Sequence, residues 1–306
     1  MRLEFGRPDL ARYADRFDQP VATDDSPVRV TWAGVTTMLV DDGDSALLTD
    51  GFFSRPSLVS VGLGKLSPSQ ERIDAGLSKL GVDRLDAVLP VHTHFDHAMD
   101  SAVVADQTGA VLVGGESTAQ VGRGGGLPDN RLVVVTPGEP IALGAFAVTL
   151  FTGHHCPPDR FPGTIDEPVV PPTRAAAYKC GEAWSTLIAH RPSGRTLLAV
   201  GSAGFVRGAL SGQHADVVYL GVGQLGLQSE QYLVDYWSET VRTVGARRVV
   251  LTHWDDFFRP LDQPLRALPY AGDDLDVSIR ILSRLATEDG VPLHLPTLWR
   301  RADPWL

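Results

Sequence analysis

The run His92-Thr93-His94-Phe95-Asp96-His97 follows directly on the apolar segment DAVLPV. Three imidazoles and a carboxylate crowded at the end of a buried strand are costly to satisfy without a cation. In an extended chain His92 and His94 project to one face. A turn starting near Phe95 points Asp96 and His97 to an adjacent centre, so one short segment can serve two neighbouring cations. Two coordination shells need more ligands. His154 and His155 follow the apolar run FAVTLF, and His253 closes RVVLTH; strand ends hold groups rigidly beside open space. Any fold for this chain has to bring these three strand ends together. His190, His214 and His294 have no ligand-type neighbours and read as surface or structural residues.

The rest of the pattern supplies the frame. Pro8, with Leu10, Tyr13, Ala14 and Phe17 on one face, predicts a short helix in an N-terminal extension over about 1–27. VRVTWA, TTMLV and SALLTD, separated by turns such as DDGDS, read as antiparallel strands. Ser67 and Gln70 form a capping-box pattern, Ile73, Leu77 and Leu80 share a face, and Gly81 is a stop, which predicts a helix from about Pro68 to Leu80. Further helices are expected over about Ala98 to Gln107, Glu230 to Val244 and Asp276 to Ala286, with GRGGG at 122–126 as a connection. The proline-rich stretch HHCPPDRFPGTIDEPVVPPTR is neither helix nor inner strand, and an ordered loop of that length usually serves a site. No linker or repeat interrupts the chain, so residues 1–306 read as one domain of α+β layers.

Composition narrows the class of partner. Lys plus Arg is 27 against 37 Asp plus Glu, a formal charge of −10, which repels a phosphate backbone and argues against nucleic acid. No apolar stretch reaches the roughly 18 residues that span a bilayer. Two cysteines make no disulfide framework, and no apolar signal core precedes the body, which points to a reducing, cytoplasmic compartment. The oligomeric state is not legible.

DSALLTDGFF in the early strands, HxHxDH as His92, His94, Asp96 and His97, a later histidine after a strand and His253 in LTHWDDF span about Thr31 to Phe257. Together they resemble the metallo-β-lactamase superfamily of metal-dependent hydrolases. GHHCPP, AGF and THWDDFFRPL are most similar to the branch with ascorbate-phosphate lactonase-like and N-acyl-phosphatidylethanolamine phospholipase-like proteins. The resemblance implies a four-layer αββα sandwich with a metal site at the edge of its two sheets. It assigns His92, His94 and one of His154 or His155 to the first metal, and Asp96, His97 and His253 to the second. His155 is favoured because it precedes the Cys156-Pro157-Pro158 turn, which leaves His154 as a substrate contact or acid. The family expects a bridging acid in a Gly-Asp pair after TLLAV, whereas this chain has Gly201-Ser202. Loss of that carboxylate should leave one centre weak or empty unless Asp159, Asp166 or Asp216 compensates. Zn2+, one or two per chain, is the default cation; Mn2+ or Fe2+ accept similar ligands.

The chemistry implied is hydrolysis of an ester, lactone or related acyl bond of a small molecule by a metal-activated hydroxide. Asp96 acts as ligand and catalytic group, and Asp96 or His154 protonates the leaving group. Trp254, Asp255, Phe257 and Phe161 are expected to line an apolar pocket. A phosphodiesterase on the same scaffold, or a metal-binding protein without catalysis because of Ser202, are the competing readings. GVGQLG at Gly221, Gly223 and Gly226 mimics a dinucleotide fingerprint but lacks the acidic residue about twenty positions on. No GxSxG nucleophile elbow occurs. Cys156 reads as a small buried residue rather than a nucleophile.

Overall fold

Short β-branched runs closed by Gly and Asp turns build two mixed sheets. The computed structural model describes residues 5–306, so the first four residues of the expected extension lie outside the described residues. In the first half, β1 (Arg29–Trp32), β2 (Met38–Asp41) and β3 (Ala46–Thr49) form an antiparallel meander. The strands β4 (Ala87–Leu89), β5 (Val111–Gly114) and β6 (Leu132–Val134) then continue parallel to β3. In the second half, β7 (Pro140–Leu143), β8 (Phe146–Gly153), β9 (Ala183–His190) and β10 (Thr196–Val200) are antiparallel neighbours. They give way to the parallel β11 (Val217–Gly221), β12 (Arg248–Thr252) and β13 (Leu293–His294). The last strand, β14 (Arg301–Ala302), crosses back to the edge of the first sheet beside β1. Each sheet has seven strands.

The two sheets bury facing residues against each other. Trp32, Val40, Leu47 and Leu89 of the first meet Val148, Ile188, Leu197, Tyr219 and Val250 of the second in one cluster. The alternate residues of the first sheet, Leu48, Val88 and Leu112, face Ile73 and Leu77 of α2 (Gln70–Leu80) and Val104 of α4 (Ser101–Thr108). On the far side, α6 (Glu230–Trp237) and α7 (Leu275–Asp289) seat Leu233, Trp237, Ile279 and Leu282 on the second sheet. Central parallel strands are apolar on both faces because helices cover the face the other sheet does not. The result is helix on sheet on sheet on helix, the four-layer α+β sandwich expected from the sequence.

Several elements depart from expectation for local physical reasons. The N-terminal helix is a 3-10 helix over Leu10–Arg16 capped by Asp9, with Tyr13 outside helical geometry and no residue fully buried. The helix at 70–80 starts after Ser69 rather than at a Ser67 capping box, and Gly81 ends it in the left-handed region. The expected helix from Ala98 is two: α3 (Phe95–Ala98) begins inside the histidine motif, and α4 follows. Residues 58–63 form a further short helix, α1 (Leu58–Leu63). The start of the glycine run, 122–124, forms the last turn of α5 (Glu116–Gly124), because small residues let it pack under Leu112, Leu132 and the carbonyl of Val169, and Gly125 and Gly126 follow as a turn. The helix after Ser229 holds to Arg242 only by a π turn over Ser238–Arg242.

Close approach is absolute where the loop after β10 meets the end of β8. A Cβ on Gly204 would stand 2.1 Å from the carbonyl oxygen of His154. Gly204→Ala is therefore expected to push the two segments apart and destabilise the protein by roughly 1–3 kcal/mol. A lowered urea midpoint with unchanged slope reads this; an unchanged midpoint contradicts the packing described.

Candidate metal centre

The ends of β4, β8 and β12 meet at one edge of the sandwich. His92 and His94 leave β4, His94 sits at the N-cap of α3, and Asp96 and His97 occupy that helix's first turn. Ligand atoms of His92, His94 and His155 lie within 4.8 Å of one another, as do those of Asp96, His97 and His253. The groups abut, with the His92 and His97 rings 4.0 Å apart. His92 Nε2 and His94 Nδ1 are separated by 3.0 Å.

Four of the five rings are turned by a partner outside the cluster; the buried His253 Nδ1 has none among the described residues. His92 Nδ1 shares a hydrogen bond with the Ser202 hydroxyl at 2.8 Å, and His155 Nδ1 donates to the Cys156 carbonyl at 2.7 Å. His94 Nε2 faces Asp159 Oδ1 at 3.1 Å, and His97 Nδ1 donates to Asp50 Oδ2 at 2.8 Å. Toward the Cys156 carbonyl and the Asp50 and Asp159 carboxylates the outer nitrogen carries the proton, which leaves a lone pair on the inner one. Asp50 was not singled out from the sequence, although an acid ending the apolar run SALLT was a visible signal. It is wholly buried, accepts from the Val91 amide at 2.9 Å and from the Thr36 hydroxyl, and sits in the left-handed region.

A cation fits these residues. His97 Nε2 is buried with no hydrogen-bond partner. Its nearest acid is Asp96 Oδ2 at 3.7 Å, which also lies 3.6 Å from His253 Nε2. A buried imidazole lone pair without a donor is costly, and a mixed imidazole and carboxylate set suits a divalent ion. Burial, reinforced by the neighbouring imidazoles, holds His92 well below the ordinary histidine range. Burial and His94 bring His155 down to about 4. His97 goes the other way: burial lowers it, but the Asp50 and Asp96 carboxylates outweigh burial. Burial would raise Asp96, yet His97 and His253 hold it below the usual carboxylate range.

Of the residues read from the sequence, His92, His94, Asp96, His97, His155 and His253 converge. His154 does not: it is exposed and absent from the cavity wall, so neither an acid nor a contact role follows for it. Trp254 is core, 2% exposed and stacked on Trp32 at 5.3 Å. Asp255 is also removed from the wall; it is wholly buried, ion-paired to Arg55 at 2.6 Å, and accepts from the Val35 amide. Val35 in turn accepts from the His253 amide at 2.9 Å, so Asp255 positions the terminal histidine, whose backbone is left-handed. Phe257 and Phe161 do line the cavity and lie edge-on to His253 and His94. Ser202 touches His92 from outside, and Asp159 is the carboxylate brought to the cluster. Asp166 and Asp216 bond elsewhere, to Thr164 and to Thr196 and Arg247. His190, His214 and His294 stay outside the cluster, bonded to Asp42, to the Val244 carbonyl and to Asp18. Cys156 is buried, and burial pushes its thiol up to about 12.

Above the cluster lies a cavity of about 780 Å³. Its walls include Phe161, Phe257, Phe258 and Leu268, α1 residues Leu58 and Val61, and four arginines that sequence reading passed over: Arg7, Arg160, Arg174 and Arg266.

The profile of the metallo-beta-lactamase superfamily matches residues 30–205, more than half of the chain. The chain belongs to that superfamily. It is 27% identical over 128 residues to the UPF0173 metal-dependent hydrolase Rleg2_1519 of Rhizobium leguminosarum bv. trifolii, covering 42% of this chain and 48% of that protein. The chain thus spans about half the length of the curated relative it matches. Among solved structures, Igni18, a metallo hydrolase from the archaeon Ignicoccus hospitalis, superposes with a TM-score of 0.56 at 15% identity over 90% of this chain and 97% of that one. CmlA, a diiron beta-hydroxylase from Streptomyces venezuelae, gives 0.52 at 13% identity over 92% of this chain and 54% of that one. At these identities the likeness is one of fold.

Two outcomes are expected. The folded state disfavours protonated His155 and His92, so their contribution to stability is complete above the unfolded imidazole value near 6.5 and is lost as pH falls from there through about 4. Thermal unfolding of metal-free protein across that window should show a falling midpoint; a flat profile contradicts neutral rings. Asp255→Ala leaves Arg55 buried and unpaired and should cost about 3–5 kcal/mol in denaturant unfolding. A loss below about 1 kcal/mol would remove Asp255 from the support of His253.

Proposed function

We propose that the chain is a metal-dependent hydrolase that cleaves an ester, lactone or related acyl bond of a small molecule. The observation that carries this reading is the pair of abutting ligand sets, each with three side chains within 4.8 Å, at the floor of an open cavity. His92, His94 and His155 would hold one cation and Asp96, His97 and His253 a second. Bound cations supply Lewis acidity and lower the pKa of water toward neutrality. Asp96 is held in its charged form and lines the cavity. Its carboxylate accepts a hydrogen bond from the attacking water and orients it. Phe161, Phe257 and Phe258 shield the reacting bond from bulk water and seat an apolar portion of the substrate.

Zinc is the first expectation for the cation, and manganese or iron are the alternatives to test against it. The acidic balance of the chain supports a small molecule over nucleic acid as substrate. Among the described residues no helix is long and apolar enough to cross a membrane. The two cysteines are buried and free, which supports a reducing, cytoplasmic compartment.

Protein loaded with Zn2+, Mn2+ or Fe2+ and dialysed should retain up to two equivalents per chain and turn over aryl esters or lactones. His92→Ala and His97→Ala should each lose metal and roughly a hundredfold or more of activity. Full activity in a metal-free variant would overturn the reading. Preference for phosphodiesters would move it to the phosphodiesterase alternative. Metal without turnover would make Ser202, in place of a bridging carboxylate, the reason that catalysis is absent.

A further inference from the structure

The charge of the cavity wall does not match that of the chain. The protein carries a formal −10, so most of its surface repels anions. Four arginines nevertheless line the cavity. Two share one acid: Arg7 and Arg266 both pair with Asp256, at 3.3 and 2.8 Å. Arg160 and Arg174 have neither an ion pair nor a hydrogen bond among the described residues, a condition shared there only by Arg84 and Arg280, which lie off this cavity. Nearly every other guanidinium is occupied by an acid or a carbonyl, so this cavity wall carries two guanidinium groups free to take an anion.

Both belong to the proline-rich segment, and both are anchored. Arg160 lies between Asp159, which faces His94 Nε2 at 3.1 Å, and Phe161, whose carbonyl accepts from the Cys180 amide at 2.8 Å. Arg174 follows Thr173, which is paired with Leu66 through two backbone bonds of 2.6 and 3.0 Å. Both guanidinium stems therefore start from fixed backbone on the cavity wall, Arg160 next to the residue that faces His94. A planar guanidinium fork offers paired donors that match the oxygens of a carboxylate or phosphate.

We propose, resting on the hydrolase reading above, that the cavity takes a substrate bearing an anionic group, phosphate or carboxylate, which Arg160 and Arg174 bind while the scissile bond lies over Asp96. The two arginines act as specificity residues and take no part in bond breaking.

The test compares 4-nitrophenyl hemiglutarate, its 4-phosphonobutyrate counterpart and the neutral methyl glutarate ester on metal-loaded protein. Wild type should favour one of the anionic esters in kcat/KM, and which one identifies the anion. The double variant Arg160→Ala, Arg174→Ala should reduce that preference by roughly tenfold, mainly through KM. Arg84→Ala, an exposed change off the cavity, should leave it intact. Equal preference in wild type and double variant, or none in wild type, overturns the proposal. If no ester is turned over, the hydrolase reading fails by itself, and equilibrium dialysis of metal-loaded protein against inorganic phosphate and against glutarate decides the anion site. Binding about tenfold weaker in the double variant supports it; equal affinity removes it.

Discussion

Five imidazoles share one buried volume, with the His92 and His97 rings 4.0 Å apart and the His97 and His253 rings 5.0 Å apart. Out of water and this close, they cannot all be protonated together. They also cannot be left with lone pairs facing nothing. The molecule resolves the first problem outside the cluster, where the Ser202 hydroxyl, the Cys156 carbonyl, Asp50 and Asp159 each receive or face an outer nitrogen. The second is left to whatever occupies the middle. Much of the surrounding architecture serves that division. Asp50, Ala203 and His253 are non-glycine residues in the left-handed region, and such conformations persist only where the scaffold over-determines them.

How much of this was legible in the sequence depended on range. The motif at 92–97 and the histidines at 155 and 253 could be read because ligand spacing and strand ends are local signals. The four-layer fold followed from the resemblance those residues carry. Strict alternation along FAVTLF would have placed His154 inward with Phe146, Val148 and Leu150. The ladder to β9 is unbroken from Phe146 to Gly153, but burial passes near its end from the face of Leu150 to that of Phe151 and Gly153, and beyond the strand His155 joins the cluster while His154 is exposed. No short-range pattern announces that change of buried face.

Other departures were long-range. Trp254 and Asp255 sit beside His253, yet their places are decided by Trp32 and Arg55, about two hundred positions earlier in the chain. Sequence adjacency suggested a pocket wall, and distant partners made them core. The glycine run in α5 has poor helical propensity, but packing beneath the proline-rich segment overrides it. Asp50 was visible only as part of a family resemblance, since its role needs His97, Thr36 and Val91 brought to it by three different segments.

Asp159, Arg160 and Phe161 are consecutive, and they face a candidate metal ligand, an unpaired cationic wall and the apolar side of the cavity in turn. Within this one tripeptide the residue that faces His94 and two residues of the cavity wall share a backbone. An insertion or deletion there during divergence would alter both at once. Related chains that exchange substrates are therefore expected to vary this segment as a block, while the strand-end histidines stay as they are.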